Sequence, residues 1–433
     1  MRQIHRWLVV AFESEMRDPR QQLQTTYEGL TIHIQPHMDD FCDLMSTFVL
    51  PGTDIQHVRL RLNRFLSAMA WKDNRAFITR GDIAGGARPQ DSDKPRFNYG
   101  EKRRLPYGII SRFDFEHLVV PSNDRQRLAL ALFRDGLDSD NAFYKFLSYY
   151  KIVNILHSRP DDQMEWMNAN IPSLRFDAAE RAKQLAQSNG DLGKYLYVQG
   201  RTAIAHAFAS PIRDPDLPAD RMEIREDCRL IKGLAALLIE RELGIPSLPK
   251  IWHDHLYELA GFKELFGEGL TGRLARGEPV GTGEFSVPKL TLRLKDHLPY
   301  RCLERVEFQA VSCESGTLVL ATNPETEPML ITIILNFPAE TLNFDLTAFA
   351  FNQKHWRFRT ELAESYYQFL WDYYGNGCLE IYDSLNGDRL SHKLGFIPMN
   401  IDFRRLQLDL ELQKSILTSK MPGAPGSHPG VGR

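Results

Sequence analysis

The chain has 433 residues with a formal net charge of −3, with 43% apolar and 25% charged residues. That length exceeds one typical hydrophobic core and calls for several domains. The charge balance excludes a global field that would attract RNA or an anionic membrane, so any nucleic-acid surface must be a local patch.

The five cysteines, Cys42, Cys228, Cys302, Cys313 and Cys378, are scattered and never form a CxxC pair. This argues against a disulfide framework or a thiolate zinc site and for a reducing, cytoplasmic compartment. No apolar run reaches the ~18 residues of a membrane helix.

The first ~118 residues read as a mixed α+β region. "RWLVVAF" and "LTIHIQ" have strand character. In "DIQHVRLRLNRFLSAMAW", Val58, Leu62, Phe65 and Met69 fall three or four apart, a helix spacing. A Gly- and Pro-rich stretch starting at Arg80 predicts a long loop, and "FDFEHLVVP" predicts another strand.

Residues 119–246 read as helical. Ser122 is the expected N-cap of a first helix ending at Gly136. Phe143, Phe146, Leu147, Tyr150, Val153 and His157 form the stripe of a second, which stops before Pro160. "DAAERAKQLAQSNG" gives a third, and "YVQGRTAIAHAFASP" a fourth. The fifth starts at Asp220, with Glu223 placed as in a capping box and a stripe of Ile224, Cys228, Ile231, Ala235 and Leu238. Short breaks between them predict an antiparallel helical bundle. A connecting segment, 247–284, contains one expected helix, "IWHDHLYELAGFKELFG". The region 285–418 is β-rich, with "FSVPKLTLRLKD" alternating through Leu290, Leu292 and Leu294 and a helix at "RTELAESYYQFLWDYYGNG". The Pro/Gly-rich tail 419–433 is expected to be disordered.

The fourth helix carries the candidate chemistry. Metal-free RNA cleavage needs a base for the 2′-hydroxyl, an acid for the leaving oxygen and a cation for the phosphorane. Histidine can serve as acid or base, and the arginine fork matches phosphate oxygens. Arg201 and His206 supply both types five residues apart. Gly200 favours a helix start there, whose N-terminus would add anion donors. Five ideal helical steps nevertheless separate the two by ~140° around the axis. The same pair equally fits two polar residues on the edge of an ordinary helix. A twofold dimer would place two such pairs in one cleft.

"GRTAIAHA", with the aromatic-rich helices before it and the long amphipathic helix after it, resembles the R-x4–6-H signature of HEPN domains, helical nucleotide-binding bundles. The resemblance covers Pro121 to Ile245. It implies a homodimeric, metal-independent endoribonuclease without cofactor, of the kind found in toxin, stress and antiviral systems. It gives Arg201 the scissile phosphate, His206 the acid/base role and Thr202 an assisting position. Other HEPN-like proteins bind nucleotides or RNA without cutting. The overall layout is also similar to MauJ-type proteins, encoded among methylamine-utilisation genes. The alternative to cleavage is a non-catalytic accessory protein of that type, in which the bundle serves dimerisation or nucleotide or RNA binding and the flanking regions bind a partner.

From Val120 to Ile245 there are 17 Lys/Arg against 18 Asp/Glu, so the bundle is not a basic platform. The best basic stretch lies before it. Lys94, Arg96, Lys102, Arg103, Arg104 and Arg112 face only Glu101, with Phe97, Tyr99, Tyr107 and Phe113 interleaved, a composition suited to single-stranded or looped RNA. It also fits a solvated loop with anchoring aromatics. "GEGLTG", Gly267 to Gly272, matches G-x-G-x-x-G but follows a helical stretch, so a dinucleotide site is not expected. His253 and His255 are two apart, and a helix would point them to different faces, against a zinc site with Glu258. His33, His37, Asp39 and Asp40 lie near a turn and carry metal-ligand types, but read more readily as surface polar residues.

Overall fold

The computed structural model describes residues 6–14, 22–35, 43–50, 52–85, 115–206, 212–295, 298–327, 329–344, 350–351, 359–376, 378–394 and positions 408, 411 and 415. The chain is a mixed α+β structure that divides into two compact units, Met1–Leu248 and Pro249–Arg433.

The first unit opens with β1 (Arg6–Ser14), β2 (Leu23–Tyr27), β3 (Leu30–Gln35), β4 (Asp43–Val49), α1 (Ile55–Asp73) and β5 (Phe77–Gly85). The strands form one antiparallel sheet in the order β2-β3-β4-β1-β5. Glu28 and Gly29 both take positive φ, 45° and 76°, which gives the β2–β3 hairpin the twist its two strands require. Asp54 caps α1 by accepting from Gln56 N, and Asn74 ends it at φ 52°. Val58, Leu62, Phe65 and Met69 are all buried, against Leu8, Val10, Phe12, Ile32, Ile34 and Met45 of the sheet. The glycine-rich loop expected from Arg80 begins later than its composition implies, because β5 runs through Gly85 and pairs with β1. Residues 115–121 form a turn and no strand. Their backbone is held from the side instead, with Tyr27 Oη donating to Val119 O at 3.3 Å.

The helices follow as α2 (Asp124–Asp138), α3 (Ala142–Asn154), α4 (Pro160–Asn170), α5 (Phe176–Ala186), α6 (Leu192–Tyr195), a π-helix (Leu196–Thr202), α7 (Ala203–Ala205) and α8 (Pro218–Arg241). They share one core that includes Phe133, Phe146, Tyr149, Tyr150, Leu196, Ile231 and Leu238. Several boundaries differ from the sequence reading. Asn123, not Ser122, caps α2, accepting from Gln126 N at 3.0 Å. Gly136 does not end α2; a Cβ there would stand 2.4 Å from the Tyr149 ring, so the glycine permits close packing of α2 on α3. Pro160 starts α4 at its first turn, where a missing N–H costs nothing. The apolar stripe of α8 is buried as expected. Its capping box is absent, because α8 starts at Pro218 and its first carboxylates turn to another partner, described below.

The second unit contains α9 (Leu248–His253), reaching back one residue into the first, then α10 (Ala260–Phe266) and α11 (Glu268–Ala275). Its strands are β6 (Leu290–Leu294), β7 (Phe308–Glu314), β8 (Thr317–Thr322), β9 (Met329–Leu330), β10 (Thr332–Asn336), β11 (Thr341–Phe344), β12 (Ala350–Phe351), β13 (Cys378–Asp383) and β14 (Arg389–Leu394), with α12 (Arg359–Asn376) before β13. They form sheets in the orders β11-β10-β8-β7, β14-β13-β6 and β12-β9. Leu290, Leu292 and Leu294 are fully buried. The single helix expected across 251–267 is broken at His255 and Tyr257, whose φ values are 53° and 67°. The break turns Glu258 inward, where its carboxylate accepts from Leu342 N at 2.7 Å. The tail 419–433 lies outside the described residues.

Candidate functional site: a π-helix ending at Arg201 and His206

Asp191 caps α6 through Lys194 N at 2.8 Å. The helix then widens into the π form from Leu196 to Thr202 and stops at Ala205. Gly200 sits in the wide turn. A Cβ there would lie 2.4 Å from Phe146 Cζ, so this position needs glycine for the approach to α3 rather than for a helix start. Arg201 and His206 therefore stand at the carbonyl end of a helix, not at its N-terminus. That end favours the charge of Arg201 but offers no N–H donors to a phosphate.

The ~140° offset of an ideal helix does not survive. The π ladder closes at i→i+5, and His206 leaves helical geometry at φ −130°, ψ 105°. As a result Arg201 Nη1 lies 3.3 Å from His206 Nε2, with both residues half-buried. A guanidinium only donates, so Nε2 accepts in this contact. The Arg201 guanidinium also lies 5.7 Å from the centre of the Tyr197 ring, near the outer limit of a cation–π contact. Thr202 does not join them. Its Oγ1 is shut from solvent and has no hydrogen-bond partner among the described residues.

Beneath the π-helix lies a polar network that periodicity alone did not reveal. Tyr195 Oη is 2.9 Å from both Glu223 Oε1 and Asp227 Oδ2 on α8. Asp227 is 1% exposed, and its Oδ1 accepts from Arg181 Nε and Nη2 at 2.9 and 2.7 Å. Burial pushes the Asp227 carboxyl up despite Arg181. Arg213 Nη1 donates to Asp220 Oδ1 at 2.9 Å and to Glu223 Oε2 at 2.6 Å. The Arg213 hydrogen bond holds the Glu223 carboxyl below its usual range. Arg213 Nε reaches the π-helix itself, donating to Gln199 O at 3.3 Å. The sequence does carry one signal of this network. Asp227 falls three residues after Ile224 and four before Ile231, inside the buried stripe of α8. A carboxylate in that phase needs partners.

Residues 129–240 match the family model of methylamine utilization protein MauJ. This MauJ-matched segment is about a quarter of the chain and holds the π-helix, Arg201, His206 and the whole Arg181–Asp227–Tyr195–Glu223–Arg213 network. No curated protein matches the chain, and no solved structure does.

The remaining candidates fall elsewhere. Lys94, Arg96, Lys102, Arg103, Arg104 and Arg112 lie outside the described residues, as do His37, Asp39 and Asp40. His33 Nδ1 is 2.9 Å from Gln22 Nε2, and its ring packs beside Trp7. His253 pairs with Asp254 at 2.8 Å and His255 with Glu258 at 2.6 Å, each through Nδ1. Those two histidines are kept apart by the break after α9 rather than by helical facing. Gly267 takes φ 78° between α10 and α11, and the rest of "GEGLTG" lies inside α11, so the stretch follows a helix and lacks the strand a dinucleotide fold requires. Among the described residues, no helix is long and apolar enough to cross a membrane.

Proposed function

We propose that the MauJ-matched segment is a non-catalytic accessory module that binds the phosphate groups of RNA or nucleotides through Arg201, with His206 beside it. The observation that carries this reading is the 3.3 Å contact between the two on a half-exposed helix end. A guanidinium held at one place offers its remaining donors to phosphate oxygens, and Tyr197 adds a ring beside it for a base. Cleavage asks for more. It needs one group to take a proton and another to give one. One protomer supplies one imidazole, and Arg201 already occupies its Nε2 lone pair.

The test uses the full chain with a labelled single-stranded RNA, with mononucleotides as competitors and a chelator present. Binding should be measurable by anisotropy, weakened by Arg201→Ala, and leave the RNA intact. Absence of binding to either ligand would sink the reading.

A HEPN-type ribonuclease remains as a second reading because the contact brings together the residue types such chemistry uses. It requires a twofold partner to supply the second imidazole, with a 2′,3′-cyclic phosphate as product. Chelator-resistant cleavage that His206→Ala abolishes would establish it and remove the accessory reading.

A further inference from the structure

We propose that Arg213 is a positioning residue for the Arg201–His206 site, acting through the carbonyl of Gln199. This inference rests on the phosphate-binding reading above and names what sets the geometry of that site.

A π-helix is uncommon because its ladder is poorer than that of an α-helix, so it persists where tertiary contacts hold it. Two contacts do so here, from opposite directions. On one side Gly200 lets the turn approach Phe146 of α3. On the other, Arg213 Nε donates to Gln199 O at 3.3 Å, inside the π-helix and two residues before Arg201. The same guanidinium is anchored to α8 through Asp220 and Glu223, at 2.9 and 2.6 Å. Asp220 is fixed in turn by accepting from Asp214 N at 2.9 Å, and Glu223 by Tyr195 Oη at 2.9 Å. Arg213 thus bridges the long helix α8 and the wide turn that carries Arg201. Its planar fork matters, because Nε and Nη1 serve partners on two different elements at once. The single ammonium of a lysine stands at one point and can meet the carboxylates or the carbonyl, not both in this geometry. Tyr195 adds a second tie, since it immediately precedes the π-helix and rests on the carboxylate that holds Arg213. Nothing in this cluster touches a ligand phosphate directly; it places the group that does.

The experiment compares the wild-type full chain with Arg213→Ala and Arg213→Lys. Four quantities are read: the melting temperature, amide hydrogen exchange across residues 196–206, the ring nitrogen resonances of His206, and RNA affinity. For Arg213→Ala, exchange in 196–206 should rise and the His206 Nε2 resonance should move away from its accepting position. RNA affinity should fall about tenfold, the size of one lost charge-assisted contact. Arg213→Lys should recover the melting temperature through the carboxylates and not recover the affinity. If the alanine variant does not fold, the lysine variant decides by the same exchange and ring measurements. Unchanged exchange and an unmoved His206 resonance in both variants would overturn the proposal. So would full recovery of the site by lysine. Failure of the wild type to bind RNA would instead remove the functional reading, while the exchange and ring measurements still decide the role of Arg213.

Discussion

Replacing Gly200 by alanine puts a methyl group where Phe146 already stands. The added Cβ would lie 2.4 Å from Phe146 Cζ and 2.9 Å from Cε1. Phe146 is fully buried and stacks on Tyr150 with ring centres 6.1 Å apart. Tyr150 is itself pinned, its Oη donating to Gln163 Oε1 at 2.9 Å. The ring cannot slide away without breaking that bond, so the cost belongs at the upper end of overpacking, about 3 kcal/mol. Alanine returns about 1 kcal/mol of helix propensity over glycine. The net loss is about 2 kcal/mol, which for a unit of ~250 residues lowers Tm by ~4–8 °C. Calorimetry on the full chain measures it. The mechanism has its own check in Phe146→Leu, which opens the space: in that background Gly200→Ala should cost at least ~0.5 kcal/mol less. A Gly200→Ala protein that melts at or above the wild-type temperature refutes the reasoning. So does an equal cost in both backgrounds.

Three further outcomes are expected. Asp227→Ala takes the carboxylate from Arg181, while Tyr195 keeps Glu223, and should cost about 3–5 kcal/mol in chemical denaturation, whereas a loss below ~1 kcal/mol would mean the pair is not coupled to folding. Asp138 accepts from Phe77 N at 2.9 Å, and burial pushes its carboxyl up to about 6 against that bond and the Arg134 guanidinium. Because its folded pKa is raised, the stability it adds is complete below ~4 and is lost as pH rises through the folded value. Asp138→Asn, neutral throughout, should remove a fall of roughly 2 kcal/mol across that window; parallel wild-type and variant curves would contradict it. Arg201→Ala should flatten the dependence of log K on log salt by roughly 0.7, one single-strand phosphate contact, and an unchanged slope would exclude Arg201 from the phosphate.

How much of this was legible in the sequence depended on which residues carried the pattern. The stripe of α8 and the alternation of β6 were visible because each buries apolar side chains at its own period. β4 was not, since Ser46 and Thr47 are buried among its apolar residues and erase the alternation. α4 was hidden by Pro160, which reads as a stop and acts as a start. At the site, the residue pair was visible and its geometry was not. A π-turn has no composition of its own; it is imposed here by Phe146 and Arg213, which lie 54 residues before and 14 after the positions they hold, Gly200 and Gln199. Asp220 and Glu223 carry the spacing of a capping box, yet α8 starts at Pro218 and both carboxylates meet a tertiary arginine, with Asp220 also accepting from Asp214 N rather than from its own helix. The local rule yields here to one physical preference: a carboxylate within reach of a guanidinium takes that charge-assisted bond, which is stronger than one to a neutral N–H.

That preference also bears on what the site can do. The helical region is close to electroneutral, with 17 basic against 18 acidic residues from Val120 to Ile245. Arg181 and Arg213 are committed to carboxylates inside it. Arg201 is placed differently: it meets an imidazole and a tyrosine ring, neither of which brings a carboxylate to cancel its charge. A surface with so little spare charge cannot hold RNA tightly by counterion release alone. What it can do is hold one guanidinium at a defined place, because the turn carrying it is fixed from α3 and from α8. Affinity for a polymer would then have to come from other phosphates contacted elsewhere on the chain. The Arg201 site would contribute position, telling one phosphate from its neighbours, and that is the property an accessory module needs and a nonspecific RNA-binding surface lacks.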